Sequence, residues 1–298
     1  MHLGEPKAEH LGPTCPEDWK LVISILRSNS YKSWVSHSGS SQVLICSDSG
    51  ELLTRHGKSP LSFFCQHLAN RLDPTSIPQA EAVRNRTAST ASKATASAIV
   101  ETRRLYPDLV TISCYCCHLT DPSMNGGLDA ARDMVWGLIG QLLRKFPRNS
   151  LWIPRSAYQD RRRSSVETLT MLLVFIIRQY PPNCTLFFFI DQVSLFESEQ
   201  FSEAEVIIGA LSELVGHDTR NTDSSILAQL DGSSCPFSPF QTSGPVVKLM
   251  LTSSTTPPRT IMAMFEDPNS FIDVDTLPEA PSEVVEALRE DGVGEDIA

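Results

Sequence analysis

The amino-acid sequence predicts an α/β fold built on a mainly parallel central sheet, on three observations. Residues 184–190 are an almost unbroken apolar run ending in Asp191, without the alternation that a sheet wet on one face requires. Helix-period segments precede and follow that run, as crossovers between parallel strands demand. Shorter apolar runs at 43–46, 109–116 and 246–251 repeat the pattern, again separated by helical stretches.

Taken in order, residues 1–16 form a loose polar segment, and 17–278 form the folded domain. Pro16-Glu17-Asp18 opens a helix with Val22, Ile23, Ile25 and Leu26 on its apolar side. Proline and acids suit a first turn, whose free N–H groups carry the positive end of the helix dipole. Tyr31 and Trp34 stand three apart, so they share one face of a short second helix against the sheet. The first strand follows at 43–46. After it, Leu61, Phe64, Cys65, Leu68 and Leu72 recur at helical spacing. An insertion near 79–98, rich in Ala, Ser, Thr and Arg, precedes the second strand at 109–116.

Leu128, Ala131, Val135, Leu138, Ile139 and Leu142 then mark an amphipathic helix, closed by Arg144, Lys145 and Pro147. A helix beginning at Ser164 or Ser165, with Glu167 placed to complete its cap, leads into the apolar strand at 184–190. Residues 203–215 make another crossover helix. A polar insertion near 216–244 is too long for an ordinary connection. Strands at 246–251 and 271–274 flank a helical turn at 261–265, and 279–298 is an acidic tail.

Composition limits the function classes. A length of 298 residues and 41% hydrophobic content suit a globular chain. A net charge of −10 argues against a broad nucleic-acid footprint. Eight cysteines are too few for a disulfide scaffold at this length, and their apolar neighbours mark them as buried small hydrophobes in a reduced compartment. Cys114-Tyr-Cys-Cys-His118 contains ligand-type side chains, but alternation sends neighbours on a strand to opposite faces. No basic start followed by an apolar core is visible, and the longest apolar run, 171–177, is too short for a bilayer. A cytoplasmic location without membrane or nucleic-acid partners is expected.

The chemistry concentrates in two places. Between the first strand and the helix at Leu61 lies Gly57-Lys58-Ser59. Backbone N–H groups at a helix start hold phosphate oxygens, lysine adds charge, and a serine hydroxyl ligates Mg²⁺. The loop departs from a Walker A pattern. Leu52 stands where its first glycine belongs, and the nearest earlier glycine is Gly50. The second place is Asp191, at the end of the apolar strand, where a Walker B carboxylate orients Mg²⁺ or its water. Gln192 follows where a catalytic acid often stands, and it can orient water. Thr252 and Ser253, ending the next strand, can reach phosphate or water at the same edge.

The segments Tyr31-Lys-Ser-Trp34, VLICSDSGELLTRHGKSPLS, VTISCYCCHL, GLIGQLLRKFP, LFFFIDQVSLFE and VVKLMLTSS resemble the nucleotide-binding core of degenerate fungal STAND or NACHT-like P-loop NTPases. The resemblance spans about residues 19–277. It implies a three-layer α/β sandwich of the P-loop NTPase type. It further implies ATP or GTP with Mg²⁺ bound by Gly57, Lys58, Ser59, Thr252 and Ser253, with Ser59 and Asp191 as metal ligands. Asp191 and Gln192 are the candidate catalytic positions, Gln192 standing where many relatives place another acid. Such cores switch assembly, so a regulatory or scaffold module with a protein partner or self-association is expected. An active ATPase or GTPase, a nucleotide-independent interaction domain and a small-molecule P-loop kinase remain open alternatives.

Overall fold

The computed structural model describes residues 16–47, 59–72, 102, 108–116, 130–146, 151, 153, 164–194, 203–216 and 244–281. The N-terminal segment before Pro16, the insertion near 79–98, all but the ends of the insertion near 216–244 and most of the acidic tail lie outside them. So do Gly57 and Lys58.

In chain order the elements are α1 (Pro16–Arg27), α2 (Asn29–Ser36), β1 (Ser41–Cys46), α3 (Pro60–Leu72), β2 (Asp108–Tyr115) and α4 (Ala130–Lys145). There follow α5 (Val166–Arg178), β3 (Cys184–Asp191), α6 (Ala204–Gly216), β4 (Val246–Ser253), α7 (Arg259–Met262) and β5 (Phe271–Asp273). The strands form one sheet in the order β2-β3-β4-β1-β5, and each neighbouring pair is parallel.

Every residue of β3 is buried, as the missing alternation predicts, because helices cover both faces. Leu186, Phe188 and Ile190 enter a core with α4, α5 and α6, whereas Phe187 and Phe189 enter a second core with α1, α2 and α3. The period of two along a strand thus divides its side chains between two layers. Tyr31 and Trp34 are buried, and Trp34 meets Phe187 edge to face at 5.7 Å. Serines cap the starts of α2 and α5. Ser28 accepts from the Tyr31 N–H at 3.2 Å and Ser165 from the Thr168 N–H at 3.3 Å.

The outer edge of β2 is finished by side chains of α4. Gln141 accepts from the Ser113 N–H at 3.0 Å and donates to the Ser113 carbonyl at 2.6 Å. Lys145 donates to the Thr111 carbonyl at 2.8 Å. Four residues of helix rise about 6 Å and two residues of strand about 6.6 Å, so the two side chains fall opposite alternate residues. This blocks strand addition at groups that would otherwise invite it.

Lys248 is the largest departure from the apolar pattern of β4. It is fully buried, yet its ammonium donates to the Trp34 carbonyl at 2.9 Å, to Ser41 Oγ at 2.8 Å and to the His37 carbonyl. The two carbonyls, of Trp34 and His37, belong to the end of α2, where a positive charge is favoured. Burial pulls this ammonium down to about 7 from 10.5.

Replacing Gln141 by leucine strands the Ser113 N–H and carbonyl. Urea denaturation is expected to show a loss of about 1–3 kcal/mol. A change within error would mean that water serves that edge equally well.

Candidate functional site

In open parallel sheets, ligands collect beyond the carboxyl ends of the strands where successive connections leave to opposite faces. Here that point lies between β1 and β4. After β1 the chain continues into α3, which packs in the core of α1 and α2, whereas Ile261 of α7, after β4, packs with α4, α5 and α6. Because β4 separates β1 from β3, Asp191 is one strand removed from the strand that precedes Gly57-Lys58-Ser59.

Asp191 is 0% exposed and projects to the α3 side, since Phe187 and Phe189, two and four residues earlier, pack in that core. Thr252 Oγ1 donates to its Oδ1 at 2.5 Å, while Oδ2 has no hydrogen-bond partner among the described residues. Burial pushes the carboxyl up to about 6 from 3.8. The Ser62 and Thr252 hydroxyls and the Gln192 N–H pull partly the other way.

Gln192 has a left-handed backbone, φ 59°, the one positive φ outside glycine among the described residues. Its N–H donates to Thr252 Oγ1 at 3.3 Å, and its side-chain Nε2 donates to Ser62 Oγ at 3.0 Å. Ser62 lies in the first turn of α3, so the end of β3 and the start of α3 are joined directly. Cys65, one turn further along α3, packs its thiol 3.9 Å from Thr252 Oγ1. Tyr115, in register with Asp191 on β2, completes this side. Burial, more than the neighbouring acids, pushes both Cys65 and Tyr115 upward.

The sequence-predicted residues divide accordingly. Asp191, Gln192 and Thr252 meet. Ser253 does not join them, because the next residue of a strand points to the other face, and its hydroxyl donates to the Thr255 carbonyl at 2.6 Å. Ser59 is buried at the same end of the sheet, and its hydroxyl accepts from the Leu61 N–H at 3.1 Å. With Pro60 as the first helical residue, Ser59 is thus the N-cap of α3. Ser62, Cys65 and Tyr115 were missed. Nothing in their local pattern separates them from core residues.

Elsewhere, a cavity of about 440 Å³ lies at the amino end of β1, lined among others by Ser33, Trp34, His37, Gln42, Met264 and Glu266. It is at the opposite end of the sheet from Asp191 and takes no part in this site. The five described cysteines are buried. No group of three or more metal-ligating side chains occurs among the described residues, and no described helix is long and apolar enough to cross a membrane. Comparison with protein-family models, with curated proteins and with solved structures finds no match.

The raised Asp191 has a defined stability signature. Between pH 3.8 and about 6 the native state keeps a proton that the unfolded chain has released. Stability therefore falls as pH rises through that window, by up to about 3 kcal/mol. Asp191→Asn is expected to raise the unfolding midpoint at pH 8 and to change it far less at pH 4.5. Equal shifts at both pH values would remove burial of the charge as the cause.

Proposed function

We propose that this chain is a degenerate STAND- or NACHT-like nucleotide-binding module, a pseudo-NTPase that serves as a regulatory or scaffold domain. One observation carries the reading: the first turn of α3 and the buried Asp191 meet at the switch point of a parallel sheet, joined through Gln192 and Ser62. A helix start favours phosphate. Beside it stands a carboxyl oxygen without a partner among the described residues. A ligand that carries both a phosphate and a divalent cation matches the two together.

Asp191 suits Mg²⁺, since Oδ2 is a hard oxygen with no donor of its own among the described residues. Ser59 suits it less well, because its hydroxyl already caps α3. In this reading Asp191 and Ser59 hold the cation, and Gly57 and Lys58, on the segment leading into Ser59, hold phosphate oxygens of ATP or GTP. The bound Mg²⁺ supplies neutralisation of phosphate charge. Weak or absent turnover follows from the surroundings of Asp191. Gln192 directs its amide to Ser62, and Thr252 spends its only proton on Asp191.

Calorimetric titration with ATP and GTP in the presence of Mg²⁺ tests the proposal. Binding is expected to weaken at least tenfold in Lys58→Ala, the scale of one lost charge-assisted contact of about 1.5–3 kcal/mol. Phosphate release is expected to stay at background. Absence of heat with both nucleotides would leave the fold and remove the function.

A further inference from the structure

We propose that the hydrogen bond between Gln192 and Ser62 is an autoinhibitory latch, holding the start of α3 against the end of β3 so that Asp191 stays closed to ligands. The inference rests on the nucleotide reading of this edge and adds how that edge is regulated.

Three features point to a held state. First, Gln192 sits at φ 59°, a conformation in which an L side chain is strained and which persists only where the surroundings impose it. What imposes it is visible. The backbone N–H is tied to Thr252 Oγ1 and the side-chain amide to Ser62 Oγ. Second, both ends of the latch are out of water, Gln192 at 3% and Ser62 at 5% exposure, so the bond is made in a medium where losing it leaves two polar groups unpaired. Third, the Gln192 amide is spent on Ser62 while the adjacent Oδ2 of Asp191 has no partner among the described residues.

A strained turn and an orphaned oxygen in one cluster make a state that a suitable ligand can displace. Releasing Ser62 lets the Gln192 backbone relax. The first turn of α3 and Oδ2 of Asp191 then become accessible together. Thr252 links the two movements, since one hydroxyl donates to Asp191 and accepts from the Gln192 N–H. A nucleotide therefore binds against the latch, and its apparent affinity is reduced by the fraction of molecules that are closed.

Cys65 is a built-in reporter. It is fully buried beside Thr252, whereas Cys184 is buried in the core on the other face of the sheet. The test is the rate of N-ethylmaleimide modification at each cysteine in the nucleotide-free chain, resolved by peptide mass spectrometry, for Ser62→Ala, Gln192→Gly and Ser62→Thr. Opening is expected to accelerate Cys65 by about tenfold, the scale of one buried hydrogen bond. Cys184 should stay unchanged in Ser62→Ala and Gln192→Gly, and the hydroxyl-bearing Ser62→Thr should keep the wild-type rate. Titration of Ser62→Ala with MgATP should show binding tightened by a similar factor.

An unchanged Cys65 rate in both latch variants overturns the proposal, as does joint acceleration of Cys65 and Cys184, which signals general unfolding. Faster Cys65 labelling with nucleotide affinity unchanged or weakened also overturns it, because the contact then does not oppose binding. Selective Cys65 opening with no nucleotide bound by any form, wild type included, supports the latch and removes the nucleotide reading instead.

Discussion

A carboxyl group without access to water ends the strand around which both cores are packed. Asp191 is held there because β3 is flanked by β2 and β4 and covered by a helical layer on each face. The cost of burying a charge is met only in part by the Thr252 hydroxyl. The groups around it therefore answer to this one constraint. Thr252 turns inward, Gln192 adopts a left-handed backbone and Ser62 faces the end of β3. Removing the charge relaxes the conflict.

The two cores divide the labour of the fold. The layer of α4, α5 and α6 is almost wholly apolar, laid over Leu186, Phe188 and Ile190. The layer of α1, α2 and α3 contains the aromatic cluster of Tyr31, Trp34, Phe64 and Phe187 and, at its carboxyl end, the polar groups of the candidate site. Lys248 belongs to the same layer at the amino end, where it fastens β4 to the last turn of α2 and to Ser41. Lys248 and the candidate site thus stand at opposite ends of this face, with packed aromatics between them.

Much of the fold was legible because its signals are local. The unbroken apolar run of β3, the cap of α5 and the helical spacing of α3 depend on neighbours in sequence, and each element falls within a few residues of its expected limits. The order of the strands was not legible, since it depends on pairings between distant segments. That Asp191, Gln192 and Thr252 lie at one sheet edge was legible because a strand end is visible as the close of an apolar run. Alternation puts Ser253 on the opposite face of β4 from Thr252, and serine directly before proline at a helix start announces a cap, as at Ser59. Ser62, Cys65, Gln141 and Lys248 gain their roles from register across elements. Only the assembled sheet reveals that.

The treatment of β2 also bears on how copies of this chain can come together. Gln141 and Lys145 occupy the backbone groups that a neighbouring molecule would need to extend the sheet from that margin. Growth into a continuous intermolecular sheet is therefore closed at β2, and at the other margin β5 offers a ledge of only three residues. Among the described residues, the sheet margins thus leave little backbone for an intermolecular strand to pair with.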